Sequence, residues 1–306
     1  MPRHRKERSR AGADFYWRYL VPATFIVLWS AGYTFAKLGL AHAGVATLLA
    51  LRYGLVVIVL LPLFWMLRPP LPVRTADWVH VAVVGFFIQV VFFGFTWSAL
   101  TMGVSAGTAA LIFSLQPILV GLLAPRLTRE QVGVRRWAGL ALGLSGAALV
   151  IFSRSAVDIS SAVGICFCVI AVLGMTAATL YEKRFGVSQH LVTSNLIQCG
   201  VGFVVFVPLA WVFEGMRVEW TGELFVALGF VVFFNSLISI TLLLAMIRRR
   251  GAAPVSSLFF LVPPTAALIA WVLLGETMPA LAWAGVALAT VGVAIASQPA
   301  AAGKAG

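Results

Sequence analysis

The polar residues that could contact a ligand inside a membrane come in pairs separated by 146 residues. Gln89 and Asn235 form one such pair, and each carries a carboxamide near the middle of a long apolar segment. Lipid cannot satisfy the donors and the acceptor of a carboxamide, so we expect both side chains to face the protein interior or a wet cavity. They would serve there either to bind a substrate or to form hydrogen bonds between helices.

Prolines at the same offset interrupt two other apolar segments. Pro117 pairs with Pro263, and Pro264 adds a second proline to the later segment. Proline removes a backbone donor and clashes with the preceding helical turn, so each helix should bend or break at this point. Paired interruptions at membrane depth indicate either a transport site and its gates or two merely kinked packing helices.

Two cationic residues also fall within apolar segments. Arg52 has no acidic residue near it in sequence, so it either belongs to a functional site or reaches the outer headgroups or the carbonyls of a neighbouring helix. Its counterpart after 146 residues is the polar Gln198. Lys37 follows Trp29 and Tyr33 at a spacing of four, so this stripe either lines a cavity or packs normally while Lys37 extends to the outer surface.

Groups for chemical catalysis are missing from the sequence. All ten acidic residues lie in tails, loops or segment ends, so no carboxylate is placed to carry a proton or bind sodium at membrane depth. The sequence has no phosphate-binding glycine loop, His-Glu-x-x-His zinc pattern, Gly-x-Ser-x-Gly elbow or paired aspartate cluster. We therefore expect a protein that is not an enzyme and that needs no cofactor or metal.

The elements that position these residues are membrane helices. The chain is 61% apolar and 10% charged, with a mean hydropathy of +1.00, which is typical of an integral membrane protein. A span needs roughly 20 apolar residues. The sequence predicts ten spans: Tyr19 to Leu40, Val45 to Leu67, Trp78 to Leu100, Ser105 to Leu123, Trp137 to Phe152, Val163 to Tyr181, Leu191 to Phe213, Glu223 to Met246, Ala253 to Leu274 and Leu281 to Ser297.

The ten spans form two copies of one unit. Without a gap, the 146-residue shift also aligns Glu130 with Glu276 and Trp137-Ala138-Gly139 with Trp283-Ala284-Gly285. Five spans is an odd number, so the second copy must be inverted in the membrane, with a central cavity between the copies. We divide the all-α chain into a basic arm (1–18), a first repeat (19–153), a second repeat (154–297) and a tail (298–306).

Spans 5 and 10 contain glycines at spacings that permit close backbone approach. We interpret them as scaffold that packs internally, although a homodimer seam would have the same pattern, and we favour a monomer. The glycines are Gly139, Gly143 and Gly146 in span 5, and Gly285 and Gly292 in span 10.

The positive charge follows the topology. Lys and Arg concentrate in the N-terminal arm and in alternate connections, whereas the opposite loops hold only Arg154 and Arg217. The positive-inside rule then places both termini in the cytoplasm. The net charge of +12 is thus explained by the bilayer as partner, and we expect no nucleic-acid partner.

A family resemblance rests on motifs in a fixed order. They are Leu51-Arg52-Tyr53, the run from Gly107 to Pro117, Leu274-Gly275-Glu276-Thr277, and the glycine-rich last span from Trp283 to Ser297. In this order, from about Phe15 to Ser297, the chain resembles the EamA type of the drug/metabolite transporter superfamily, and within it the YddG-like exporters of aromatic and other amino acids. The resemblance implies an inner-membrane exporter of small metabolites with a cavity walled by spans 1, 3, 4, 6, 8 and 9.

The residues expected to reach that cavity combine aromatic rings with a few amides and hydroxyls, a lining suited to small amino acids of broad variety. We expect export by alternating access, either without an ion gradient or with a coupling that the sequence does not reveal. Nucleobases or cationic drugs are the alternative substrates, and a membrane scaffold or enzyme is the alternative class. The expected lining is Trp29, Tyr33, Gln89, Phe93, Trp97, Phe113, Gln116, Met175, Thr179, Asn235, Ser239, Phe259 and Phe260.

Overall fold

The computed structural model describes residues 15–104, 106–154, 161–186, 189–274 and 278–298. Most of the basic arm, most of the tail and Glu276 therefore lie outside the described residues. Within the described ranges, nine helices are long and apolar enough to cross a membrane, and a shorter apolar helix follows them. The prediction of a ten-helix membrane protein is thereby confirmed.

We number the helices by span. They are α1 (Tyr16–Leu40), α2 (Val45–Leu67), α3 (Thr75–Thr101), α4 (Ala106–Phe113 and Gln116–Leu127), α5 (Val134–Arg154), α6 (Ala162–Phe185), α7 (Leu191–Glu214), α8 (Gly222–Arg250), α9 (Ala252–Ser256, Ser257–Leu261 and Val262–Leu274) and α10 (Ala280–Ala296). In the described ranges the β-structure is one isolated bridge, between Ala43 and Val218.

Helices α4 and α9, which contain the paired Pro117 and Pro263, are irregular at corresponding positions. In α4 the helix stops after Phe113 and resumes at Gln116, and Pro117 lies in the first turn of the second piece. In α9 a 3-10 segment, Ser257–Leu261, comes immediately before the piece that contains Pro263 and Pro264. Both interruptions precede the paired prolines, where the proline ring excludes a regular preceding turn.

A second symmetric irregularity lies in α3 and α8. Phe86–Phe92 in α3 and Phe230–Ser239 in α8 have π-helical geometry. The first segment contains Gln89 and the second contains Asn235. A π-helical turn holds more residues than an α-helical turn and is frequent at functional sites. It also changes the direction of the side chains relative to a regular helix.

Helices α5 and α10 pack directly against each other along their glycines. A Cβ atom on Gly139 would lie 2.6 Å from the Ala296 nitrogen, and one on Gly285 would lie 2.8 Å from the Gly146 carbonyl oxygen. These distances leave no room for side chains between the two backbones. The glycine stripes therefore join the two repeats within one chain.

Ion pairs and helix caps connect the repeats at both ends of the bundle. At one end, the Glu214 carboxylate accepts hydrogen bonds from the Ala46 and Thr47 amides at the start of α2. At the same end, His42 Nε2 lies 3.1 Å from the Glu223 Oε2 atom. At the other end, Glu130 accepts from the Ala252 and Ala253 amides at the start of α9. A carboxylate is favourable at a helix N-terminus, which holds these helix starts in place.

Candidate functional site

A small cavity lies between the two repeats, where α1, α3 and α8 meet. Its volume is about 10 Å³, close to the minimum that accommodates a single water molecule. A solute of amino-acid size therefore enters only if the helices move apart. The cavity is lined by Trp29, Gly32, Tyr33, Phe93, Trp97 and Asn235.

Helix α1 contributes two aromatic side chains and one glycine to the cavity lining. Trp29 and Tyr33 are one turn apart and Gly32 lies beside them. A Cβ atom on residue 32 would lie 2.5 Å from the Asn235 Nδ2 atom. Glycine at this position is thus what allows the carboxamide to approach the α1 backbone.

Aromatic rings surround Trp29 on several sides. Its ring stacks on Phe92 at a centroid distance of 5.8 Å and meets the edge of Phe259 at 5.3 Å. On the neighbouring side of the cavity, Tyr33 stacks on Phe113 at 6.3 Å. Offset and edge-to-face ring contacts of this kind define a rigid apolar wall.

The charged member of the site is Arg52 of α2, which is fully buried. Its Nε donates to the Ser236 hydroxyl at 2.7 Å, and its Nη2 donates to the Asn235 carboxamide oxygen at 2.8 Å. Its guanidinium carbon lies 4.0 Å from the centroid of the Phe93 ring and 5.4 Å from that of Trp97. The interpretation that Arg52 extends to the outer headgroups is wrong, because α8 holds it inside the bundle.

Lys37, one turn beyond Tyr33, is separate from this site. Its side chain is exposed in the last turn of α1. Of the stripe predicted on α1, only Trp29 and Tyr33 line the cavity, which agrees with the interpretation that Lys37 extends to the surface.

Gln89 lies outside the cavity lining. Its Cβ atom lies near Gly202 of α7, and its backbone carbonyl accepts a hydrogen bond from the Tyr53 hydroxyl at 2.7 Å. Within the described part of the chain, both polar atoms of its side chain lack a hydrogen-bond partner. Gln198, also on α7, packs against Gly85 of α3 and has the same two unpartnered atoms.

These contacts reveal a symmetric arrangement of four polar residues. The 146-residue shift converts Arg52 into Gln198 and Asn235 into Gln89. The bonded pair at the interface of α2 and α8 thus corresponds to the two glutamines at the interface of α7 and α3. Only the first pair contains a charge.

The other predicted site residues lie deeper in the walls. Gln116, at the break in α4, donates to the Thr179 and Ser256 hydroxyls at 3.4 and 3.3 Å. Phe260 faces Gly143 of α5. Met175 and Ser239 are buried, and neither lines the cavity.

Sequence reasoning missed the pairing of Arg52 with Ser236 and Asn235. Two signals pointed towards it: an arginine within a span, and a polar residue at the corresponding position of the second repeat. The sequence did not indicate that α2 packs against α8, a contact that brings residues of the two repeats together.

Comparison with known proteins agrees with this architecture. The EamA-like transporter family model matches twice, over residues 17–152 and 162–298, so each repeat is one copy of the family unit. A solved crystal structure with 20% sequence identity superposes with a TM-score of 0.74 over 91% of this chain and 96% of its own.

Two relatives cover nearly the whole chain. An uncharacterized transporter, YvbV, of Bacillus subtilis is 24% identical over 94% of this chain and 93% of its own length. A probable amino-acid metabolite efflux pump of Salmonella typhimurium is 22% identical over 88% of this chain and 91% of its own. Together with the inverted helical repeats, these matches show that the chain belongs to the EamA-like transporter family and is a multi-pass membrane transporter.

Proposed function

We propose that the protein exports amino acids, aromatic and other neutral ones with broad specificity, across the inner (plasma) membrane. The observation that carries the proposal is the cavity between the repeats, where four aromatic side chains surround the Asn235 carboxamide. Rings accept apolar side chains of varied shape, and a carboxamide both donates and accepts hydrogen bonds. The similarity to an amino-acid metabolite efflux pump supports the same substrate class.

The mechanism that fits inverted repeats is alternating access. In the described structure both ends of the bundle are tied, by Glu214 and His42 at one end and by Glu130 at the other. Opening the cavity to one side of the membrane must break the contacts at that end of the bundle while the contacts at the other end persist. The α3–α4 and α8–α9 hairpins are the moving gates in this proposal, and the interruptions before Pro117 and Pro263 are their hinges.

Charge distribution supports an orientation with both termini in the cytoplasm. The connections rich in Lys and Arg lie at the same end of the bundle, where Arg249 packs over the Trp17 ring at 4.4 Å and Arg248 pairs with Glu182. By the positive-inside rule, we propose that this end lies in the cytoplasm. We propose a monomer, because the α5–α10 seam is used within the chain.

Transport is proposed to run down the amino-acid gradient without ion coupling. His80 of α3 and Lys37 of α1 are titratable side chains that lie elsewhere: His80 Nδ1 is 2.8 Å from the Tyr181 hydroxyl, and Lys37 is exposed. Neither reaches the cavity between the repeats.

Efflux from liposomes tests the proposal. Purified protein should release internal radiolabelled neutral amino acids with equal pH and equal sodium on both sides, and nucleobases and cationic drugs should be retained. Release of those solutes instead would support the alternative substrate classes. If no small solute moved, a scaffold or an enzyme would be favoured, and dependence on an imposed proton gradient would refute facilitated transport.

A further inference from the structure

The charge of Arg52 lies at a depth where lipid cannot solvate it. The residue is seven positions after Val45, the first residue of α2, or roughly 10 Å along the helix. Its side chain is 0% exposed. Ionised residues at such depth are costly, and they usually pair with an opposite charge or mark a substrate pathway.

The described residues that contact this guanidinium are all neutral. Ser236 and Asn235 accept its Nε and Nη2 hydrogen bonds, and aromatic rings cover its faces. Within the described ranges, Arg52 Nη1 has no hydrogen-bond partner and no carboxylate forms an ion pair with the residue. The two N–H donors of Nη1 are thus unpaired, and no opposite charge among the described residues balances the guanidinium.

The uncompensated group lies directly behind the cavity wall. Asn235, Phe93 and Trp97 each contact both the Arg52 guanidinium and the cavity. When the cavity widens to admit a solute, these three residues separate that solute from the charge by a single layer of side chains. We expect Nη1 to reach a solute anion once those rings move aside.

We infer that Arg52 binds the carboxylate of the transported solute and that a carboxylate is therefore required of every good substrate. This inference rests on the proposed transport function and makes its substrate class specific. The planar guanidinium matches the geometry of a carboxylate and can donate two parallel hydrogen bonds to it. The carboxylate of the solute supplies the negative charge that is missing beside Arg52. Nucleobases and cationic drugs have no carboxylate.

The second repeat provides the matched control. Gln198 is the counterpart of Arg52, is equally buried and also has unpartnered side-chain atoms. It carries no charge, so its loss should affect packing without removing a carboxylate ligand. Comparing Arg52 with Gln198 separates the role of the cation from the role of a buried polar group.

The first experiment uses the wild-type protein and three ligands with the same 3-phenylpropanoyl skeleton. They are L-phenylalanine, L-phenylalaninamide, which lacks the carboxylate, and 3-phenylpropionate, which lacks the amino group. Binding is measured in detergent as ligand-induced thermal stabilisation, which any ligand that binds the folded state produces. Efflux is measured in liposomes. We expect phenylalanine and phenylpropionate to bind, and the amide to bind at least ~10-fold more weakly, because a charged hydrogen bond is lost.

The outcomes separate the inference from the proposed function. Equal binding of phenylalanine and its amide would overturn the role of Arg52 and leave amino-acid export intact. Binding and efflux of phenylpropionate without phenylalanine would refute amino-acid export and support the carboxylate site. If none of the three bound, the carboxylate site would be refuted.

The second experiment compares R52Q, R52K and Q198M. R52Q should lose the preference for phenylalanine over phenylalaninamide. R52K should retain part of that preference, because lysine keeps the positive charge but cannot donate two parallel hydrogen bonds as a guanidinium does. Q198M should keep the wild-type preference. A folded R52Q protein with the wild-type preference would contradict the inference. If R52Q does not fold, the wild-type ligand comparison decides the question.

Discussion

Replacing Asn235 with leucine should weaken amino-acid transport by roughly 10- to 100-fold in apparent affinity. Leucine has a similar volume, but it removes the polar group that faces the cavity and the acceptor of Arg52 Nη2. A hydrogen bond to a charged group contributes about 1.5 to 3 kcal/mol, or one to two decades in affinity. Competition of unlabelled amino acid against a radiolabelled one in liposomes measures the change.

The companion variant is Gln89→Leu, at the corresponding position of the first repeat. Gln89 faces α7 in the described conformation. If Gln89 and Asn235 contact the substrate in turn as the repeats exchange roles, this variant should also impair transport. Normal transport by both leucine variants together with lower thermal stability would mean that the amides join helices. The substrate would then bind elsewhere, with the broken helices near Pro117 and Pro263 as the next candidates.

Replacing Gly146 with alanine should be among the most damaging small changes to the fold. A Cβ atom there would lie 2.7 Å from both the Ala289 Cα and the Gly285 carbonyl oxygen. Backbone atoms cannot turn aside as a flexible side chain can, so α5 and α10 must separate. Overpacking of a tight core costs about 1 to 3 kcal/mol, and the melting temperature of the purified protein should fall accordingly.

Gly229→Ala is the matched control for that change. Gly229 also lies within a helix, but a Cβ atom there would have no neighbour within 4 Å. Alanine is favoured over glycine in helices by about 0.5 to 1 kcal/mol, so this variant should be neutral or slightly more stable. Equal destabilisation by both substitutions would show that the α5–α10 contact is looser than described.

The sequence was sufficient to predict the architecture because the signals were strong and repeated. Ten apolar segments, a constant offset of 146 residues and paired prolines predicted ten helices, two inverted repeats and the interruptions in α4 and α9. Bilayer thickness fixes the helix length. Proline disrupts the turn that precedes it, although α2 and α7 continue past Pro62 and Pro208. The observed boundaries differ mainly in that α4, α6 and α8 continue farther than predicted, to Leu127, Phe185 and Arg250.

The details of the site were harder to predict because they depend on a departure from regular helix geometry. A period of 3.6 residues places Gln89, Phe93 and Trp97 on one stripe, but only Phe93 and Trp97 line the cavity. The π-helical segment Phe86–Phe92 spreads its residues over wider turns, so a spacing of four no longer returns to the same face. The same argument applies to Asn235 and Ser239 in α8.

Arg52 illustrates what a single sequence leaves undetermined. Its position within a span indicated either a functional role or contact with headgroups. The choice depends on which helix packs beside α2, and its partners, Ser236 and Asn235, are 184 and 183 residues away. Neither hydropathy nor spacing within a span contains that information.

The most direct test of the account is an experimental structure of the protein with saturating L-phenylalanine. We predict that the amino acid lies between α1, α3 and α8, with its carboxylate on Arg52 and Asn235 and its ring among Trp29, Phe93 and Trp97. Amino-acid density elsewhere, such as beside Gln116 at the break in α4, with Arg52 still bound only to Ser236 and Asn235, would contradict the central claim.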